Sequence, residues 1–517
     1  MIDLGSLSDA FALLGSSFTP WMFVVPGLVI GLVFGCVPGL QTSMAMAVFL
    51  PATLTMDFLS AMLFLTAIFT GGQFGGGVSA ILMNIPGTSS AVATTFDGYP
   101  MARQGRHNEA LGVALIASTV GTFFGYTALL VLIGPLSKVV LKLGPTEMFV
   151  VILWGLTLIA TLRGRYLGRS LLAGTIGLLI GTIGMSPNGV LRGTLGNDHL
   201  IDGVPVIPAM IGMFAASELF TVGRGAYLVE GDVNARKVSL RRIFAGVKLG
   251  LSTPMILLRG GLIGTLVGAV PGVGSSVANL VSYSETRRRA KNPESFGKGD
   301  PRGVAASESA NSSSEGGSMV SLFALGLPGG AGTAILLAAF NMHNITGGPR
   351  FLREHSDVVY AVILANLAQA VLLLIVGLIL IRVLSAIVKV PLRYLVPIVL
   401  SMSAFGAYGL TGTMAGPVTL LVFAMLGWAL RRYEYSIPGA VIGLLLGRMA
   451  EGELLRSYQI SGGHLDYLLT RPVTFLLLVI LLASLFLPMI LEQRKRSRGG
   501  DGGPPRNASP VTSDKSA

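Results

Sequence analysis

The chain has 517 residues, of which 52% are hydrophobic and only 12% are charged, and its mean hydropathy is +0.71. The polar shell of a water-soluble protein cannot cover that much apolar surface, so the composition predicts a membrane protein. The net charge of +12 does not indicate nucleic-acid binding, because the basic residues cluster in short segments between apolar stretches, as in loops that keep positive charge on one side of a membrane. The single cysteine, Cys36, excludes an internal disulfide.

The N-terminal segment, residues 1–20, contains acidic residues but no Lys or Arg before the first apolar run. A cleaved signal peptide begins with positive charge, so this pattern predicts that the first helix is retained. The stretch that follows is crowded with Gly, Pro, Ser and Thr, and Asp57 is its only charged residue up to Pro86. Such a sequence predicts closely packed, irregular backbone.

A glycine-rich motif occurs twice in the chain. GLVIGLVFGCVPG at 27–39 returns as GGLIGTLVGAVPG at 260–272, with three glycines and the closing Val-Pro-Gly in the same places. A second pair follows in the same order: QFGGGVSAILMNIPG at 73–87 matches EGGSMVSLFALGLPG at 315–329. Each half of the chain therefore carries two Pro-Gly breaks, which predicts two structural repeats.

Apolar stretches suited to membrane crossing occupy much of the remaining chain. They span residues 110–132, 148–162, 171–185, 204–220, 251–270, 358–384, 394–410, 414–430 and 473–491. With the repeat regions, they predict an all-α integral membrane protein with about ten to twelve membrane segments, some of them short or interrupted. The region 358–430 is the most uniformly aliphatic, so we expect it to be a scaffold and expect function to lie elsewhere.

The predicted organisation has five parts. They are an N-terminal segment at 1–20, a first repeat half at 21–250, a second repeat half at 251–472, a C-terminal membrane helix at 473–491 and a disordered tail at 492–517. We expect the two repeats to have inverted topology.

A Pro-Gly break at membrane depth frees backbone N–H and C=O groups that must contact protein, water or a ligand. Half-helix N-termini favour anions, whereas unwound carbonyls with hydroxyl or amide oxygens suit a small cation. The candidate ligand-binding residues are the breaks, the polar residues that follow them and two amides, namely Pro38, Gly39, Gln41, Thr42, Ser43, Asn84, Pro86, Gly87, Thr88, Ser89, Pro271, Gly272, Gly274, Ser275, Ser276, Asn311, Pro328, Gly329 and Gly330. The alternative is that the glycines only let helices pack closely and that the hydroxyls bond back to their own helices.

Other chemistry is weakly supported by the sequence. Glu308 and Glu315 are candidates for cation contact or proton coupling, or alternatively lie in a solvated loop. The five histidines are scattered without metal-ligand spacing, and no nucleophile elbow or phosphate loop stands in a strand-to-helix context. The sequence therefore favours a non-enzymatic protein and leaves open which metal, if any, binds.

Several long motifs resemble the large permease subunit of the tripartite tricarboxylate transporters, the TctA family. They are MNIPGTSSAVATT followed by FDGYPMARQGRHNEALG (96–112), GVPVIPAMIGMFAASELF (203–220), GAVPGVGSSVANLVSYSE (268–285), FGKGDPRGVAASESAN (296–311), ALGLPGG (324–330) and TRPV (470–473). The resemblance covers nearly everything from about Pro20 to Pro472.

The resemblance implies a multi-pass permease of the bacterial inner membrane that imports a carboxylate such as citrate. It implies two partners, a small TctB-like membrane subunit and a periplasmic TctC-like solute-binding protein. It also implies coupling to a Na⁺ or H⁺ gradient, with no other cofactor. The competing functions are a passive channel and a membrane-embedded enzyme of lipid chemistry.

Overall fold

The computed structural model describes residues 4–37, 40–162, 167–222, 238–387, 392–464 and 471–498. These residues form helices almost throughout. The strands among them are one antiparallel pair of two residues each, β1 (Gly184–Met185) and β2 (Leu191–Arg192), in which Gly184 lies opposite Arg192. The protein is therefore an all-α membrane protein, as the composition predicts.

The first half of the chain contains twelve helices among the described residues. In chain order they are α1 (Leu4–Ser16), α2 (Thr19–Met22), α3 (Val24–Cys36), α4 (Thr42–Phe49), α5 (Phe58–Met83), α6 (Val92–Arg103), α7 (His107–Val140), α8 (Pro145–Leu162), α9 (Leu167–Gly181), α10 (Val206–Ile211), α11 (Ser217–Val222) and α12 (Leu240–Leu251). A π-helical turn, Gly212–Ala216, joins α10 to α11.

The second half begins after a sharp bend. Its helices are α13 (Pro254–Gly268), α14 (Gly274–Arg289), α15 (Pro301–Leu325), α16 (Ala331–Met342), α17 (Pro349–Glu354), α18 (Ser356–Ile387), α19 (Leu392–Thr411), α20 (Ala415–Arg432), α21 (Ile437–Ile460) and α22 (Pro472–Arg498). The bend between α12 and α13 is 76° and lies just after the predicted boundary at 250. Helix α22 continues seven residues past its predicted end at 491, and residues 499–517 of the predicted tail lie outside the described part.

Four described helices are long and apolar enough to cross a membrane: Thr19–Cys36, Phe58–Met83, His107–Lys138 and Ser356–Ser385. The bent pair of α12 and α13 would be a fifth. Further apolar helices of 10–17 residues, such as Thr42–Thr55 and Ala331–Met342, are too short to cross alone. The number of ten to twelve membrane segments stays a prediction. The described residues do include several short apolar helices, as expected from the Pro-Gly breaks.

The long central helices α5 and α15 begin and end in the same way. The Asp57 carboxylate accepts from the Ser60 N–H (3.0 Å) at the start of α5, and the Asp300 carboxylate accepts from the Arg302 N–H (2.9 Å) at the start of α15. Each helix ends on a residue in the left-handed conformation, Asn84 (φ 60°) and Gly326 (φ 68°) respectively. Side-chain caps and left-handed ends therefore fix the lengths of both helices.

The glycine motifs pack a short helix against each of these long helices. Gly27, Gly31 and Gly35 of α3 face α5, and a Cβ atom at Gly31 would overlap the carbonyl of Ile68. In the second half, Gly264 of α13 faces Ala310 and Ser313 of α15 in the same manner. For these helix glycines the close-packing interpretation is the one that the structure supports.

Candidate functional site

Residues that follow all four Pro-Gly breaks surround one cavity of about 810 Å³. Gln41 and Ser43 come from the first break, residues 88–90 from the second, residues 272–277 from the third and residues 330–332 from the fourth. The segments are far apart in the chain, so the fold brings together what the repeats predicted separately.

The rest of the wall comes from α5, α9, the π-helical turn, α15 and the segment from Arg431 into α21. These residues are Phe69, Gln73, Ser170, Phe214, Ser314, Ser318, Arg431, Glu434, Tyr435, Ser436, Ile437, Pro438 and Ile442. Hydroxyl and amide groups dominate the polar part of the wall, and Arg431 supplies a positive charge. The half-exposed Glu434 carboxylate lies 3.7 Å from a guanidinium nitrogen of Arg169.

Four helix N-termini point their first turns at this cavity. They belong to α4, α14, α16 and α21, whose first residues or N-cap residues lie in the wall. The first N–H groups of a helix have no partner within the helix and carry the positive end of its dipole. Gly272 (φ 80°) and Gly274 (φ 69°) turn the chain into α14 through a left-handed conformation that favours glycine. The arrangement is suited to bind an anion.

The predicted site residues divide into two groups. Those in the cavity wall are Gln41, Ser43, Thr88, Ser89, Gly272, Gly274, Ser275, Ser276 and Gly330. Those outside the wall are Thr42, Asn84, Pro86, Gly87, Pro271, Asn311, Pro328 and Gly329. Pro38 and Gly39 lie outside the described residues.

The residues outside the wall have structural positions. Thr42 is buried against Gly72 of α5, and Asn84 is exposed at the end of α5. Gly87 packs against the carbonyl of Gly35, and Gly329 packs 2.8 Å from the carbonyl of Gly268, measured to an added Cβ atom. These two glycines allow the second break of each half to lie against the end of the first broken helix.

The part of the wall that begins at Arg431, one residue beyond the region 358–430 that we expected to be a scaffold, was not predicted from the sequence. A signal was present, because Pro438-Gly439 is another Pro-Gly dipeptide and starts α21 after the N-cap Ser436, whose hydroxyl accepts from the Gly439 N–H (3.2 Å). This dipeptide has no partner in the repeated motifs, so the repeat pattern did not select it.

Glu308 and Glu315 do not lie in a solvated loop. Both are fully buried in α15, behind the wall residues Ser314 and Ser318 of the same helix. The loop alternative failed because α15 is buried on all sides, so its serine-rich sequence carries no amphipathic pattern that would mark it as a helix.

Asp97 joins two of the motifs that carried the family resemblance. One carboxylate oxygen accepts from the backbone N–H groups of Gly297 (2.8 Å), Gly299 (2.9 Å) and Asp300 (2.8 Å). The other accepts from the Tyr283 hydroxyl (2.9 Å). Asp97 therefore attaches α6 in the first half to the loop before α15 in the second, which explains why an acid stands in FDGYP and glycines in FGKGD.

An all-helical membrane protein with interrupted helices around a polar interior cavity has the architecture of a transport protein. Residues 21–442 match the model of the tripartite tricarboxylate transporter TctA family. The chain belongs to this family, and the resemblance seen in the motifs is confirmed.

Two relatives come from Agrobacterium vitis. The chain is 31% identical over 508 residues to an uncharacterized 52.8 kDa protein in the TAR-I ttuC' 3' region. The aligned part covers 96% of this chain and 98% of that protein. It is 30% identical over 233 residues to an uncharacterized protein in the TAR-II ttuC' 3' region, which covers 45% of this chain and 96% of that protein. No solved structure matches the chain.

Proposed function

We propose that the chain is the large membrane subunit of a binding-protein-dependent secondary transporter that imports tricarboxylates or related organic acids. The observation that carries the proposal is the convergence of four helix N-termini and Arg431 on one cavity. A cavity of about 810 Å³ lies in the usual range for small-molecule sites. Family membership supports the transport function.

The chemistry of the wall favours a carboxylate over a cation. Each helix N-terminus stabilises a nearby negative charge by about 0.3–1 kcal/mol. Hydroxyls such as those of Ser275 and Ser276 donate to carboxylate oxygens, and the guanidinium of Arg431 can hold a carboxylate with two hydrogen bonds. Glu434, the acid in the wall, faces Arg169, which offsets its charge.

The remaining components belong to the same proposal. The chain works in the bacterial inner membrane with a small TctB-like membrane subunit and a periplasmic TctC-like solute-binding protein, and uptake is driven by a Na⁺ or H⁺ gradient. A tripartite family supports partners of these kinds in general.

The two halves form inverted repeats in this proposal. Thr70 of α5 hydrogen-bonds Glu315 of α15, and Gly77, further along α5, faces Glu308, which comes earlier in α15. The two central helices therefore run antiparallel. Because the sequence motifs pair these helices as equivalents, antiparallel packing supports inverted topology.

Substitution of Arg431 tests the site. Arg431→Gln is expected to weaken binding of labelled citrate to the purified chain about 10- to 100-fold, since a charge-assisted hydrogen bond is lost. Arg431→Lys should retain part of the affinity, and Arg432→Gln, an exposed neighbour at the end of the same helix, is the matched control. Equal citrate affinity in Arg431→Gln and wild type would refute the assignment.

Uptake into proteoliposomes that contain all three components separates the proposal from its alternatives. A secondary transporter accumulates citrate against its gradient only when an ion gradient is present. A passive channel would equilibrate citrate without the gradient and without the binding protein, and an enzyme would release a modified product. Either result would overturn the proposed function.

A further inference from the structure

Helix α15, which contributes Ser314 and Ser318 to the cavity wall, also carries two buried carboxylates. Glu308 and Glu315 are seven residues apart, which places them two turns apart on one face of the helix, and both have an exposed fraction of 0%. Acidic side chains in the interior of a membrane protein are rare because burying their charge is costly, and they mark ion or proton pathways.

Neutral groups surround both carboxylates. Glu308 accepts from the hydroxyls of Thr94 (2.5 Å) and Ser118 (3.1 Å). Glu315 accepts from the hydroxyls of Thr70 (2.9 Å) and Tyr126 (2.8 Å). Tyr126 is the one titratable side chain among these contacts, and no basic side chain forms an ion pair with either glutamate in the described part of the chain.

The helices that pack against α15 do carry charged residues elsewhere. Besides Tyr126, Glu308 and Glu315, the charged and titratable groups on these helices and on α15 itself are Asp97, Tyr99 and Arg103 on α6, His107, Glu109 and Lys138 on α7, Arg241, Arg242 and Lys248 on α12, Arg259 on α13, Tyr283, Glu285, Arg287, Arg288 and Arg289 on α14, Arg302 on α15, and Arg350, Arg353 and Glu354 on α17. Helices α5 and α16 carry none. Among the described residues, none of the groups in this list hydrogen-bonds or forms an ion pair with Glu308 or Glu315.

The space between the two carboxylates holds buried polar atoms without a hydrogen-bond partner among the described residues. They are Thr122 Oγ1, Asn311 Oδ1, Ser312 Oγ and Gln73 Nε2. Thr122 lies one helical turn from both Ser118 and Tyr126 on α7, and the two α15 residues lie between Glu308 and Glu315. Ordered water is the usual partner of buried polar atoms that have no protein partner.

We call Thr122, Asn311, Ser312 and Gln73 the polar row. A chain of hydrogen bonds connects the polar row to the cavity. The Ser90 hydroxyl in the wall donates to Gln73 Oε1 (2.9 Å). The side-chain amide of Asn311 donates to the backbone carbonyl of Gln73 (3.2 Å), and Asn311 lies one helical turn after Glu308 on α15. Asn311, predicted to bind ligand directly, instead lies between the wall and Glu308.

We propose that Glu308 and Glu315 bind protons and carry them during the transport cycle. The proposal rests on the proposed function and names protons as the coupling ion. Each step is the reversible reaction of a carboxylate with one proton to give a carboxylic acid, with water along the polar row as donor and acceptor. Protonation removes a charge that no neighbouring group offsets.

Protons fit this row better than Na⁺. The hydroxyls around each carboxylate donate hydrogen bonds to it, so both carboxylates lie in hydrogen-bond networks of the kind that can transfer protons.

Infrared difference spectroscopy tests proton binding without any transport assay. The wild-type chain in detergent should show a carboxylic-acid C=O band that falls as the solution is taken from about pH 6 to alkaline pH, a range in which exposed carboxylates stay ionised. Glu308→Gln and Glu315→Gln should each remove part of this band, whereas Glu354→Gln, an exposed carboxylate paired with Arg350, should leave it unchanged. A wild-type band that neither substitution changes would overturn the proposal.

Transport then tests the coupling. Each substitution should reduce accumulation of citrate driven by a pH gradient about tenfold or more, while citrate binding and citrate–citrate exchange persist. Normal pH-driven accumulation in both variants, or wild-type accumulation that follows Na⁺ alone, would contradict proton carriage. Loss of citrate binding in wild type would instead contradict the proposed function, so the two failures are distinguishable. Thermal unfolding of each variant shows whether it is folded.

Discussion

The two halves of the molecule pack their first broken helix onto the following long helix through equivalent residues. Gly31 lies against Ile68 and Gly72 of α5, and Gly35 lies against Gly72. In the second half, Gly264 lies against Ala310 and Ser313 of α15, and Gly268 lies against Ser314. The spacing between partners is the same along both pairs of helices, so one packing frame occurs twice.

The halves differ in what the long helix carries within that frame. When the second Pro-Gly breaks of the two halves are aligned in sequence, Gln73 of α5 corresponds to Glu315 and Thr66 corresponds to Glu308. Helix α5 is therefore free of charge, whereas its counterpart buries two carboxylates. Close backbone contact therefore restricts the glycine positions in both halves. The polar side chains on the long helix, α5 or α15, can differ between the halves.

The largest expected effect comes from filling the glycine contact in either half. Gly31→Ala and Gly264→Ala should each destabilise the protein by about 3 kcal/mol or more, because the new methyl group meets backbone that cannot move aside. Cys36 is the only cysteine and is buried, so a thiol-reactive dye reports thermal unfolding in detergent.

Gly409→Ala is the matched control, since nothing lies within 4 Å of an added Cβ atom at that helical position. It should be neutral or stabilising by up to about 1 kcal/mol. If Gly264→Ala destabilised the protein and Gly31→Ala did not, the two contacts would not be equivalent.

Much of the cavity could be predicted from the sequence because the requirement is local. Each repeated Pro-Gly dipeptide separates two helices, and the polar residues after it can start the next helix, as Gln41 and Ser275 do. The approach of Arg431 to these segments could not be predicted, because it depends on how α20 and α21 pack across the molecule.

The buried helix α15 could not be predicted from the sequence for a different reason. Its sequence from Glu308 to Glu315 is polar and serine-rich, which is typical of a loop. The small serines instead allow α7 and α13 to approach α15 closely, as Gly121 of α7 does at the carbonyl of Ser309. The small size of these serines allows the close packing, and their hydroxyls remain available for contacts such as the hydrogen bond from Ser309 to the Leu257 carbonyl (2.7 Å).

A smaller effect is expected at Asp97, which links the two halves. Asp97→Ala should destabilise the protein by about 1.5–3 kcal/mol, since three backbone N–H groups, two of them buried, lose a charged acceptor. Tyr283→Phe removes only the hydroxyl that donates to Asp97 and should cost about 0.5–1.5 kcal/mol. The same thiol assay measures both. A larger loss for Tyr283→Phe than for Asp97→Ala would show that the backbone N–H groups do not depend on Asp97.

The smallest effect is expected at Ser79 and Ser321, which occupy matching places in the second motif. These two serines test whether the two halves pack in the same way. Each hydroxyl donates to a carbonyl three residues earlier in its own helix, Ser79 to Gly76 (3.2 Å) and Ser321 to Ser318 (3.0 Å). Because such a bond competes with the helix rather than adding to it, Ser79→Ala and Ser321→Ala should each change stability by less than about 0.5 kcal/mol. A double variant should then equal the sum of the two, since the sites share no partner. A large loss in one variant alone would mean that the halves differ in packing as well as in charge.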